Sequence, residues 1–143
     1  MASAGDPTQP QADPPPRLQR IRQRAQFDAV LATAPAFKTM HFALHLAPSS
    51  ASGVQDGPFP GGGDWLGVMV PKRWAKRAVT RNLIRRQIYA IGHEMAARLP
   101  GCALVVRLRN GFSRQQFPSA SSAALKHQVR QELLQLFGKV TRA

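Results

Sequence analysis

Between Pro71 and Pro100 the chain carries an apolar stripe at helical spacing, and on each side of that stretch lies a run that reads as extended. Ile84, Ile88, Ile91 and Met95 stand at i, i+4, i+7 and i+11, within about a 60° arc at 100° per residue. The spacing predicts a helix from about Ala75 to Arg98, stopped by Pro100-Gly101. Ahead of it, Trp65-Leu66-Gly67-Val68-Met69-Val70 predicts a strand closed by Pro71. Behind it, Cys102 to Leu108 is continuous and β-branched enough for a central strand. Cys102 is expected to pack beside Leu104 as a small hydrophobe. A strand, a helix and a strand in so short a stretch leave the helix one place to bury its stripe, which is the sheet.

The remaining patterns extend this unit. Phe27, Val30 and Leu31 fall at i, i+3 and i+4, the stripe of a short first helix that Pro35 ends. Residues 37–46 alternate: Met40, Phe42, Leu44 and Leu46 on a covered face, Phe37, Thr39, His41, Ala43 and His45 on a wetter one. A last helix is expected from about Ser121 to Phe137, with Leu125, Val129, Leu133 and Leu136 as its stripe and Gly138 as its C-cap. Residues 1–16, with Pro7, Pro10, Pro14, Pro15 and Pro16, read as a disordered tail. Residues 47–64, with Gly61-Gly62-Gly63, read as a flexible connection. A chain of 143 residues then holds one domain, over 17–140, with one modest core.

Charge narrows the partners. Twenty Lys and Arg face seven Asp and Glu, a formal net charge of +13 that calls for a polyanion. Seven cations, Lys72, Arg73, Lys76, Arg77, Arg81, Arg85 and Arg86, crowd into one stretch, and no acid occurs from Trp65 to His93. Solvated helix faces usually mix signs; this one does not. Phosphates neutralise such a run, and released counterions supply the free energy. Asn82, Arg85, Arg86, Tyr89 and His93 share one polar arc, suited to phosphates, a base edge and a stacked base.

Other classes fit poorly. No apolar run is long enough for a transmembrane helix, and Met1 to Pro16 holds Asp6 and Asp13 with no Lys or Arg, unlike a secretory or transit signal. A lone cysteine, Cys102, makes no internal disulfide and fits a reducing cytoplasm. Asp28, Asp56, Asp64, Glu94 and Glu132 are scattered, whereas a two-metal nuclease needs clustered carboxylates. His41, His45, His93 and His127 show no zinc spacing with Cys102; His41 and His45 could pair on one strand face, without a third group to make a catalytic set. A helix-turn-helix needs two helices joined by a tight turn, but here a strand leads straight into the basic helix. A ribosomal or other structural RNA-binding protein is the alternative that this chemistry leaves open.

The segment Leu66-Gly67-Val68-Met69-Val70-Pro71-Lys72-Arg73, followed by Lys76-Arg77-Ala78-Val79-Thr80-Arg81-Asn82-Leu83-Ile84-Arg85-Arg86, resembles the signature of the bacterial ribonuclease P protein. That family carries a strand, a basic pair and a helix opening Ala-Val-x-Arg-Asn-Arg-x-Lys/Arg-Arg. Phe27-Asp28-x-Val30-Leu31 and Leu104-Val105-Val106-Arg107 resemble its first helix and a later strand, so the resemblance spans roughly 17–138. Two positions depart. Leu83 stands where the family has arginine; it lies about 100° from Ile84, outside the core stripe, and is expected to pack on Val79 or the base of the sheet. Pro71 stands where the family often has a small residue.

The resemblance implies an α+β fold, a small two-layer α/β sandwich in the order α-β-β-β-α-β-α, whose mixed sheet has a left-handed βαβ crossover. It implies a fourth strand as well, with residues 36–47 split near Thr39. In function it implies the non-catalytic subunit of an endoribonuclease holoenzyme that removes the 5′ leader of precursor tRNA in the cytoplasm. The chemistry belongs to a catalytic RNA that holds the Mg2+, with no membrane and no further protein partner required. Arg73, Lys76, Arg77, Arg81, Asn82, Arg85 and Arg86 would then hold the catalytic RNA. Phe27, His45, Lys72 and Tyr89 would hold the leader, in a cleft between the first helix and the wetter sheet face.

Overall fold

The computed structural model describes residues 18–49, 58–59, 63–99, 101–113, 117 and 123–142. The expected tail at 1–16 and most of the expected 47–64 connection lie outside the described residues. In chain order the elements are β1 (Leu18–Arg20), α1 (Arg24–Leu31), β2 (Pro35–Lys38), β3 (Phe42–Pro48), β4 (Asp64–Met69), α2 (Ala78–Glu94), a 3-10 turn (Ala96–Arg98), β5 (Cys102–Leu108) and α3 (Ala123–Arg142). They form one five-stranded mixed sheet in the order β1-β4-β5-β3-β2. β1 and β5 flank β4 in parallel, and β3 pairs antiparallel with both β5 and β2.

Burial follows from the alternation of side chains along each strand. Leu44, Leu66, Leu104 and Val106 point to the side where α2 and α3 pack, against Ile84, Ile88, Ile91, Leu133 and Phe137. Ala47, Trp65, Ala103 and Val105 point to the other side, where Val30 of α1, Ile21 and Phe59 cover them. β4 and β5 are thus buried on both faces, which is why their sequences read as unbroken apolar runs. Each fully buried leucine in this set contributes about 2 kcal/mol of apolar burial.

Several expectations from sequence are corrected. Residues 37–46 are a hairpin rather than one strand: the Thr39 N–H donates to the Phe42 carbonyl at 2.8 Å, and the Phe42 N–H donates to Thr39 Oγ1 at 3.2 Å. The split near Thr39 is therefore real, and Met40 sits at the tip, 72% exposed, out of the alternation that Phe42 and Leu44 keep. The wetter face of β3 is dry, because α1 lies over it and leaves Ala43 and His45 buried. α2 starts at Ala78, later than Ala75, since the Pro71 carbonyl first closes a turn with the N–H groups of Trp74 and Ala75. Gly138 does not end α3; the helix runs on through it, and Phe137 and Val140 join the stripe of Leu125, Val129, Leu133 and Leu136. β1 was not foreseen at all, three residues being too few for a periodic signal.

Candidate nucleic-acid interface

The cationic run is built on the turn that leaves β4 and the first turns of α2. Lys72, Arg73, Lys76 and Arg77 precede the helix, in contrast to the expectation that Lys76 and Arg77 ride on it, and all four are exposed. Ala75, buried between them, pins the segment to the core. Arg77 is the N-cap and makes no side-chain cap hydrogen bond, so a cation rather than a capping acceptor stands at the positive dipole end of α2. Arg81, half-buried, reaches back from the first turn: its Nη1 donates to the carbonyls of Ala75 (3.0 Å) and Lys76 (2.8 Å) and holds the turn against the helix. Arg85 and Arg86 are exposed one turn further on, with Arg85 Nη1 3.4 Å from Asn82 Oδ1.

None of the seven cations forms an ion pair among the described residues. The pairs found there are Arg24 with Asp28, Arg130 with Glu94 and His41 with Glu132. The protein thus supplies no counter-charge to this surface, and a helix N-terminus adds to it. Such a surface binds phosphate.

Of the two placements expected for Leu83, the structure favours the sheet: Leu83 is 3% exposed in the main core with Leu66 and Leu104, so it widens the buried stripe, whereas Val79 is 53% exposed. Tyr89 is half-buried on the core side of α2, and the Arg20 guanidinium of β1 lies 4.0 Å above its ring centre. Arg20 thereby carries the positive surface from α2 onto the sheet edge. Sequence reasoning missed it, although its two-residue spacing from buried Leu18 is the alternation of a strand.

The four residues expected at the leader divide between two sides of the sheet. Phe27 and His45 share the α1 side; Tyr89 is on the opposite side, and Lys72 is exposed beyond the end of β4. Phe27 is half-buried with its ring laid on Gly67, where a Cβ would come within 2.7 Å of Phe27 Cε1. His45 is 5% exposed. Its Nδ1 lies 2.9 Å from the Thr33 carbonyl and its Nε2 lies 3.0 Å from Arg107 Nε. Since the carbonyl only accepts and the guanidinium only donates, Nδ1 carries the proton and Nε2 accepts.

His41 and His45 are not the pair their spacing suggested. His41 sits in the β2–β3 turn, its Nδ1 2.5 Å from Glu132 Oε2 of α3 and its ring stacked on Phe112 at 3.8 Å. Burial raises the Glu132 pKa, but hydrogen bonds from the His41 ring and backbone N–H, Gln128 and Thr39 outweigh it and bring the carboxyl down to about 2. Asp64 accepts from the N–H groups of Gly101 (2.8 Å) and Cys102 (3.0 Å), where Gly101 turns the chain into β5 at φ 74. Burial, helped by Asp64, pushes the Cys102 thiol up to about 12, so it stays protonated and inert. Among the described residues no group of three His, Cys, Asp or Glu could hold a metal, and no helix is long and apolar enough to cross a membrane.

Comparison with known proteins agrees with this architecture. A profile of the ribonuclease P family matches residues 16–140. The ribonuclease P protein component of Ralstonia pickettii (strain 12J) is 35% identical over 127 residues, covering 89% of this chain and 82% of that protein. The one from Paraburkholderia xenovorans (strain LB400) is 30% identical over 89% of this chain and 84% of its own length. Among solved structures, the RNase P protein of Staphylococcus aureus superposes with a TM-score of 0.60 at 18% identity, over 87% of this chain and 99% of its own. That of Thermotoga maritima gives 0.56 at 20% identity, over 87% and 97%. At these identities the structural matches speak for the fold.

Proposed function

Because the chain belongs to the ribonuclease P protein family, as the match over residues 16–140 establishes, we propose that it serves as the RNA-binding protein subunit of that endoribonuclease and promotes removal of the 5′ leader from precursor tRNA. The observation that carries the reading is the cationic surface from Lys72 to Arg86, which meets no carboxylate among the described residues. Arg73, Lys76, Arg77, Arg81, Asn82, Arg85 and Arg86 would grip the catalytic RNA, their guanidinium forks matching phosphate oxygens. Phe27 and His45 would meet the single-stranded leader, with Lys72 drawing in its backbone and Tyr89 contributing from the far side through Arg20.

The described carboxylates do not fit a magnesium ion. Asp28 and Glu94 face arginines, Asp64 accepts two backbone N–H groups, and Glu132 is taken up by His41. In this reading Mg2+ belongs to the RNA, the protein contributes binding, no further protein partner is needed, and the work is done in the cytoplasm. Reconstitution tests it. The purified protein alone should leave precursor tRNA intact, and adding cognate catalytic RNA with Mg2+ at low salt should release the leader. Efficient cleavage by the protein without RNA would overturn the assignment.

A further inference from the structure

Arg107 interrupts an otherwise apolar strand. Its neighbours two and four residues back, Val105 and Ala103, are fully buried under α1, and Arg107 points to the same side of the sheet. It lies one register row beyond Gly67 and Val105, in a row that crosses the sheet as Met69, Arg107, Ala43 and Lys38. A guanidinium half-covered on a sheet face normally finds a carboxylate, since desolvating it otherwise costs free energy. Arg107 finds none among the described residues. Its Nε donates to His45 Nε2 at 3.0 Å, and His45 is fixed in turn by the Thr33 carbonyl. Its two terminal nitrogens bond to nothing among the described residues.

A buried neutral histidine thus holds Arg107 by its inner nitrogen and leaves the outer fork for a ligand. That fork matches two phosphate oxygens. Phe27 rests on Gly67, one row away and about 7 Å along the strand, so a single nucleotide can set its base against the ring and its phosphate on the fork. The geometry points to Arg107 as a phosphate-binding residue for the leader strand, and to His45 as the positioning residue that aims it. This rests on the reading of the α1 side as the leader site, and it revises the part given to His45, which serves the strand through Arg107.

The test uses holoenzyme reconstituted with the cognate catalytic RNA and compares affinity for precursor tRNA with affinity for mature tRNA, which has no leader. Arg107→Gln should weaken precursor binding roughly tenfold, as loss of a charge-assisted bond does. It should leave mature tRNA binding in place and flatten the log–log salt dependence by about 0.7, one single-strand phosphate. Arg107→Lys keeps the charge and should restore the salt slope with only part of the affinity. His45→Ala should weaken precursor binding in the parent protein but add nothing on top of Arg107→Gln, because its effect passes through the guanidinium. An unchanged precursor-to-mature ratio in Arg107→Gln, with Phe27→Ala lowering it, overturns the role of Arg107 and leaves the leader site standing. No change in either variant removes the α1 side from leader binding, and this proposal goes with it. Equal losses for both tRNAs, with a lower melting temperature and no rescue by lysine, would make Arg107 structural and also overturn it.

Discussion

Arg81 and Arg85 sit one helical turn apart and bear the same charge, yet their surroundings give them different work. Arg85 is exposed and, among the described residues, hydrogen-bonds with Asn82 alone, so Arg85→Glu should weaken catalytic-RNA binding and flatten its salt dependence by about one log–log unit, with the melting temperature unmoved. Arg81 bonds two backbone carbonyls, so Arg81→Gln should weaken RNA binding and also cost about 1–2 kcal/mol in denaturant titration. Unchanged RNA binding in both would take α2 out of the interface. At the far side of the molecule, Glu132 ties α3 to the β2–β3 turn through His41. Its folded pKa of about 2 lies below the ordinary glutamate value of 4.5, so its stabilisation is complete above pH 4.5 and disappears as pH falls toward 2. Glu132→Gln should cost about 3 kcal/mol at neutral pH and remove that acid-side loss, which chemical denaturation across pH 2–6 would show.

At the scale of elements, close approach decides which positions can vary. α1 meets β4 where Phe27 lies on Gly67, and Gly67→Ala should lift the ring, costing about 1–3 kcal/mol and lowering affinity for leader-bearing precursor. Leu83→Arg, which restores the family's residue, should destabilise by more than about 2 kcal/mol, because α2 turns this position into the core. Thermal melting measures both. Leu83 also shows where the sequence was hard to read. Its 100° offset from Ile84 put it outside a stripe defined by four residues, but α2 is flanked by α3 as well as by the sheet, so its buried arc is wider than a single contact would make it. The strand–helix–strand order and the stripes of α2 and α3 were legible because each repeats over several turns or pairs. The β2–β3 turn was harder: alternation through Thr39, Met40 and His41 looks the same whether the chain runs straight or folds back. The cationic surface could be read from charge alone. The Arg20–Tyr89 and Arg107–His45 contacts could not, since each joins residues whose proximity only the sheet order creates.

For the molecule as a whole, a net charge of +13 is a standing repulsion that phosphate relieves. Inorganic phosphate or the cognate RNA should therefore raise the melting temperature, with the RNA effect shrinking as sodium chloride is added. A melting temperature indifferent to both would mean that the charges are already balanced within the fold. The strand order carries one more consequence. β3 and β4 do not touch each other; β5 lies between them and is hydrogen-bonded to both. While a ribosome is still making the chain, the N-terminal hundred or so residues hold two half-sheets with no seam to join them, one of them bearing the basic helix. β5 must therefore leave the ribosome before the two halves can join and complete the sheet beneath that helix, so maturation of this subunit waits on Cys102–Leu108.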